Sequence, residues 1–160
     1  MKILNIIIFL FLFVVGNAFF ANFLNYPFNL INSFAVLLCV IHFLNIKIGI
    51  YFFVLAGFIL DLFGTGFFGI NMITITITYI IMKWILKNLL SNYHFYTVFL
   101  AMVLTVVVFR LTYLLFLSSY KFFIGEERII NLRIVIDYSY EALITAIFGG
   151  LVYLIAVRVL

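Results

Sequence analysis

The sequence predicts an all-α integral membrane protein, with six transmembrane helices forming one domain over residues 1–160. Hydrophobic residues make up 69% of the chain and charged residues only 9%, whereas soluble domains carry about 25% charged residues. Apolar runs recur along the whole length, separated by short polar or glycine-containing segments, which indicates several membrane crossings. Helices are predicted throughout, because an isolated strand in lipid leaves its backbone polar groups unpaired.

The predicted spans are, in order, 3–24, 29–44, 48–63, 69–87, 95–117 and 138–158. The first resembles a signal peptide around Gly16, but its apolar run continues to Leu24 and is therefore long enough to cross the membrane. The second follows Pro27, the only proline, and is short.

The later spans contain three irregularities. Alternating Ile and Thr at 73–78 also fit a strand, which is disfavoured in lipid for the reason given above. Arg110 interrupts the fifth span. Residues 118–137 are predicted as the only long loop, with a short interfacial helix carrying the apolar residues Ile129, Ile130, Leu132 and Ile134.

The distribution of basic residues predicts the orientation. Six crossings place both termini on the same side, and the ends on that side hold five basic residues: Lys2, Lys47, Lys83, Lys87 and Arg158. The opposite side holds three, all in the loop at 118–137. Because cytoplasmic loops are enriched in Lys and Arg, both termini are predicted to be cytoplasmic.

Charge and motif content argue against several classes of function. The net charge of +4 comes without a Lys/Arg cluster of the kind that binds nucleic acid. Cys39 stands alone, and His42 and His94 lie near predicted helix ends, where interfacial roles are favoured over metal binding. No Ser/His/Asp set or nucleotide-binding loop is evident, so the sequence predicts no enzyme activity, cofactor or metal.

The junction between the third and fourth spans is the most distinctive stretch. It contains Asp61, the only acidic residue before Glu126, together with a concentration of glycines: Gly57, Gly64, Gly66 and Gly69. We expect a helix that ends near Phe63, a tight turn over 64–66 and a new helix from about Gly69, with Thr65 or Asn71 as a cap. Asp61 alone fits equally well as an ordinary loop residue close to water.

This stretch, an apolar helix with G-x-x-x-D-L followed by a glycine-rich G-x-G-x-x-G turn, resembles the rod-shape-determining protein MreD family. The resemblance covers about 15 residues, together with chain length and predicted helix count. A dinucleotide site is not indicated, because no strand precedes the glycines.

The resemblance implies a non-enzymatic scaffold in the inner (plasma) membrane of a bacterium. Its partners would be an MreC-like single-span protein, other membrane proteins of the rod complex and membrane lipid. The implied fold is related to the substrate-binding subunits of energy-coupling-factor transporters, which makes a solute-binding membrane subunit the alternative function. The sequence leaves open whether the chain forms a homodimer.

Four ionisable residues are predicted to form or flank a polar cluster in the outer half of the bilayer: Asp61, Arg110, Asp137 and Glu141. An unpaired arginine at that depth costs roughly 2.5–3.5 kcal/mol. We therefore expect Arg110 to pair with Asp61 or Glu141, and the family resemblance favours Asp61. The cluster serves either helix packing alone or a polar pocket that also involves Thr65, Asn71 and Thr74.

A second packing feature is a stripe of small residues in the sixth span. Ala142, Ala146 and Gly150 recur every four residues and so lie on one helix face. Small residues at this spacing let another helix approach closely. The stripe is predicted to face a helix of the same bundle or of a partner.

Overall fold

The structure, a computed structural model, describes residues 11, 13, 15, 16, 30–44, 46, 49–63, 67–88, 95–124 and 132–159. Within these residues the chain is all-helical, with five helices: α1 Ser33–Phe43, α2 Ile50–Phe63, α3 Ile70–Asn88, α4 Phe95–Ile124 and α5 Leu132–Val159. Most of the first predicted span lies outside the described residues.

Three of these helices are long and apolar enough to cross a membrane, in the segments Ile70–Asn88, Tyr96–Ser119 and Val135–Ile155. The protein is therefore a helical membrane protein. The other two helices have 11 and 14 residues and span roughly 16 and 21 Å at 1.5 Å per residue, less than the hydrocarbon thickness of about 30 Å. Crossings at α1 and α2 stay predictions.

Helix boundaries agree with the sequence at the central junction and differ from it further on. α2 ends at Phe63 and α3 begins at Ile70, as predicted. The predicted loop at 118–137 is wrong at both ends, because α4 continues through Arg110 to Ile124 and α5 already begins at Leu132. Ile129 and Ile130 of the predicted interfacial helix lie outside the described residues. No Gly or Pro interrupts residues 95–124, and a helix end that leaves the lipid tolerates polar side chains.

The helices form one bundle in which α2, α3 and α4 each pack on the helix that follows in sequence. α2 packs on α3, α3 on α4, and α4 on α5, while α1 packs against both α5 and α4. Phe53 of α2 stacks on Tyr79 of α3 with ring centroids 4.1 Å apart. Phe34 of α1 meets both Phe53 and Phe109 of α4, so aromatic contacts connect four helices through the core.

Helix directions follow from the pairs of residues in contact. Asn32 at the start of α1 bonds Thr145, and Phe43 at its end meets Tyr153, so α1 and α5 run parallel. Cys39 of α1 instead contacts Thr105, while Phe34 contacts Phe109. α1 and α4 are therefore antiparallel.

The small-residue stripe faces the interior of the bundle, as predicted. Ala142 and Ala146 are buried, and Gly150 is buried as well. The closest approach, however, is at the neighbouring Gly149, where an added Cβ would lie 2.3 Å from Met102 Sδ of α4 and 3.2 Å from Val36 Cγ2 of α1. The stripe thus serves contacts within this chain.

Gly57 marks the tightest backbone contact between α2 and α3. An added Cβ would lie 2.4 Å from the Cα of Met72 and 3.1 Å from the carbonyl oxygen of Asn71. Both are backbone atoms at the start of α3, so no side-chain rotation can relieve the clash. Glycine at this position therefore sets how closely the two helices approach.

We expect Gly57→Ala to lower the free energy of unfolding by at least about 1–3 kcal/mol, the usual cost of overpacking. Thermal unfolding of the detergent-solubilised protein measures the effect. Gly49→Ala is the matched control, because the nearest atom to its new Cβ is 3.9 Å away. Equal stability of the two variants would contradict the assignment of Gly57 as a close-contact residue.

Candidate functional site

A buried carboxylate joins three helices at one end of the bundle. Glu141 of α5 is 1% exposed, and its Oε2 accepts a hydrogen bond from Arg110 Nε of α4 at 2.5 Å. Its Oε1 accepts another from Asn32 Nδ2, immediately before α1, at 2.9 Å. Each oxygen thus has a donor, which offsets the cost of burying the charge.

Asn32 connects this carboxylate to the start of α1. Its Oδ1 accepts the backbone N–H of Ala35 at 3.2 Å, and so it is the N-cap of α1. Its own N–H donates to Thr145 Oγ1 at 2.9 Å. Sequence reasoning missed Asn32 and Thr145, although an Asn directly before an apolar run is an N-cap signal.

Aromatic rings hold the guanidinium of Arg110. Its Cζ lies 4.8 Å from the ring centre of Tyr138 and 5.6 Å from that of Phe109, within range for cation–π attraction. The Arg110 side chain stays 28% exposed while its partner Glu141 is almost fully buried. The positive member of the pair is therefore the accessible one.

Asp61 performs a different task from the one that the resemblance favoured. Its Oδ1 accepts the backbone N–H of Asn71 at 3.0 Å and its Oδ2 accepts that of Met72 at 2.9 Å. These are the second and third N–H groups of α3, which a capping side chain normally binds. The residue at the N-cap position is Gly69, which has no side chain and has φ of 96°. Asp61 of α2 replaces that missing cap.

The pairing prediction is therefore confirmed for Glu141, and the preference for Asp61 is wrong. The negative charge of Asp61 is compensated by the positive end of the α3 dipole and two N–H donors, and so it needs no arginine. The proposal that Asn71 caps a helix is also wrong, because Asn71 supplies a capped N–H. Gly64, Thr65 and Gly66 lie outside the described residues.

Asp137 is the fourth residue of the predicted cluster. It lies one helical turn before Glu141 on α5 and is half-buried. In the part of the chain that the structure describes, it forms no salt bridge. The cluster therefore has the Arg110–Glu141 pair at its centre and Asp137 at its edge.

A pocket of about 360 Å³ lies between the ion pair and the start of α3. Its polar lining residues are Asn32, Asn71, Arg110, Tyr113 and Glu141. The rest of the lining is apolar: Phe13, Leu30, Ile31, Phe34, Leu60, Phe63, Ile75 and Phe109. A polar pocket of the kind that the sequence allowed is thus present with Asn71 in its wall, but the expected Thr74 does not line it.

Threonines add a buried polar row between α3 and α4. Thr78 Oγ1 and Thr112 Oγ1 are 3.1 Å apart, and Thr112 also donates to the Val108 carbonyl oxygen at 2.9 Å. The hydroxyl of Thr74, one turn before Thr78, is buried without a hydrogen-bond partner among the described residues. As expected from their spacing, Thr74 and Thr78 share the buried face of α3.

No group of three or more His, Cys, Asp or Glu side chains that could hold a metal ion is found among the described residues. The comparisons with known proteins identify no relative. No protein-family model matches the chain, and no curated protein or solved structure matches it significantly.

Substitutions of Glu141 and of Asp61 should differ in how strongly their effects on stability couple to substitution of Arg110. Arg110→Gln should cost up to about 3–5 kcal/mol, because it leaves the buried charge of Glu141 uncompensated. Glu141→Gln should cost less, because the Arg110 side chain that it leaves unpaired is 28% exposed. The double variant should cost clearly less than the sum. Asp61→Asn should instead add to Arg110→Gln within about 0.5 kcal/mol, because the two share no partner.

A double-mutant cycle of unfolding free energies in detergent checks this prediction. The Asp61 cycle serves as the matched control for the Glu141 cycle, since both carboxylates are buried. Strong coupling between Asp61 and Arg110, or none between Glu141 and Arg110, would contradict the assigned partners.

Proposed function

We propose that the protein is a non-catalytic membrane scaffold of the bacterial rod complex. It binds an MreC-like single-span protein and helps to couple MreB filaments to peptidoglycan synthesis. The observation that carries this proposal is the α2–α3 junction, where Gly57 and Asp61 of the MreD-like motif contact the first turn of α3. Because both motif residues hold α2 against α3, they support a structural role for the motif over a catalytic one.

The hydrogen bonds that the two buried carboxylates accept favour a scaffold over an enzyme. Both oxygens of Asp61 accept backbone N–H groups, and both oxygens of Glu141 accept side-chain donors. A general acid or base needs a free position close to a substrate. These two carboxylates are instead committed to holding helices together.

Co-purification tests the scaffold proposal. We expect a tagged chain, expressed with the MreC-like protein of the same bacterium, to retain that protein through detergent purification. An unrelated single-span membrane protein expressed at the same level is the control. Deletion of the gene that encodes this chain should also turn rod-shaped cells round. Failure to retain the partner, together with unchanged cell shape, would contradict the scaffold function.

The proposed arrangement in the membrane is six crossings with both termini in the cytoplasm of the bacterial inner membrane. The parallel directions of α1 and α5 support it, because they are the second and sixth predicted spans. In this arrangement the predicted span 3–24 supplies the first crossing, and α1 and α2 lie within the second and third.

Cysteine labelling from outside the cell tests this arrangement. Lys2→Cys should stay unlabelled by an impermeant reagent, whereas Gly66→Cys and Glu126→Cys should be labelled. The native Cys39 is fully buried and gives a low background. Labelling at position 2 would reverse the orientation.

A solute-binding membrane subunit of an energy-coupling-factor transporter is the second candidate. The pocket beside Arg110 favours it, since ligand sites are concave and mostly apolar with a few convergent polar groups. Retention of a transporter coupling protein in the same co-purification, in place of an MreC-like protein, would support this candidate over the scaffold.

A further inference from the structure

The pocket beside the ion pair has the size and the lining of a small ligand site. Its volume of about 360 Å³ falls at the small end of the range of roughly 300–1,000 Å³ for ligand sites. Polar groups converge on it from α3, α4 and α5, and apolar side chains supply the remaining wall. This division suits a molecule with one polar end and one apolar end.

The hydrogen bonds of Glu141 and Arg110 indicate which charge the polar end of such a molecule carries. Both oxygens of Glu141 already accept hydrogen bonds, and the side chain is 1% exposed. Arg110 uses Nε for Glu141, and its two terminal NH₂ groups form no hydrogen bond with another described residue. What the pocket offers from the ion pair is therefore a set of donors, not an acceptor.

Two further polar groups in the pocket wall are uncommitted. The side-chain amide of Asn71 and the hydroxyl of Tyr113 form no hydrogen bond with another described residue, and both residues are half-buried. Together with Arg110 they supply at least three donor groups. Several donors around one guanidinium match an acceptor-rich anion such as a phosphate.

We propose that the pocket binds one amphiphile with a phosphate-type anionic head, held by Arg110, Asn71 and Tyr113, and with its apolar chain against residues such as Leu60 and Ile75. The Tyr138 and Phe109 rings fix the guanidinium from the side. The ligand relieves the cost of an exposed arginine in apolar surroundings. This inference goes beyond the scaffold function and does not depend on it.

Four probes distinguish the contributions of the anionic head, the apolar chain and the sign of the charge to binding. The detergent-purified full chain is mixed with dodecyl phosphate, dodecanol, methyl phosphate or dodecyltrimethylammonium, and native mass spectrometry counts bound molecules. We expect one saturable dodecyl phosphate per chain and at least about tenfold weaker binding of the other three. Dodecanol and the ammonium probe lose hydrogen bonds to a charged group, which contribute about 1.5–3 kcal/mol, and methyl phosphate loses the burial of the apolar chain.

Matched variants locate the site. Leu60→Trp fills the pocket and should abolish binding, whereas Leu62→Trp, on a side chain that is 57% exposed outside it, should leave it unchanged. Tyr113→Phe should weaken binding about fivefold, corresponding to about 1 kcal/mol for one hydrogen bond. Tyr140→Phe, at an exposed tyrosine outside the pocket, is its control. The double variant Arg110→Gln/Glu141→Gln should lose the preference for phosphate over dodecanol.

Several results would overturn the proposal. Equal binding of dodecanol shows a plain apolar pocket, and equal binding of methyl phosphate shows a site for water-soluble phosphates. Preference for the ammonium probe reverses the assigned charge. If Leu60→Trp fails to fold, unchanged binding by Tyr113→Phe relative to Tyr140→Phe refutes the site by itself. None of these results bears on retention of an MreC-like partner.

Discussion

The Glu141 carboxylate is the interaction on which the bundle depends. A charge on a lipid-spanning helix is costly without a partner, and Glu141 receives two donors from different elements. Arg110 ties it to α4, while Asn32 ties it to the start of α1 and also caps that helix. One carboxylate thereby sets the positions of three helices, and the loss of either charge affects them all.

At the α2–α3 junction, the buried carboxylate of Asp61 is also compensated, but by backbone N–H groups instead of a basic residue. The absence of a side chain at Gly57 lets α2 approach the backbone of α3. Asp61, one turn later on the same face, then reaches the free N–H groups of Asn71 and Met72. The close contact and the cap depend on each other, which gives a physical reason for the four-residue spacing of Gly57 and Asp61.

The ion pair of Arg110 with Glu141 and the first turn of α3 that Asp61 caps both border the pocket. Asn71 belongs to the first turn that Asp61 caps, and Arg110 belongs to the ion pair. Because both oxygens of Glu141 already accept hydrogen bonds, the ion pair offers the pocket donors and no free acceptor. A scaffold and a solute-binding subunit would use such a pocket differently, the first for a resident amphiphile and the second for a transported molecule.

Composition and apolar runs by themselves determined the membrane class, the helical fold and the bounds of α1, α2 and α3 to within about four residues, because lipid demands long apolar helices. They also determined that Arg110 needs an acid. Only the tertiary structure decided which one, since the choice between Asp61 and Glu141 depends on how helices are arranged around α4. It likewise decided the roles of Asn32 and Gly149, whose contacts with α5, α4 and α1 join segments far apart in sequence.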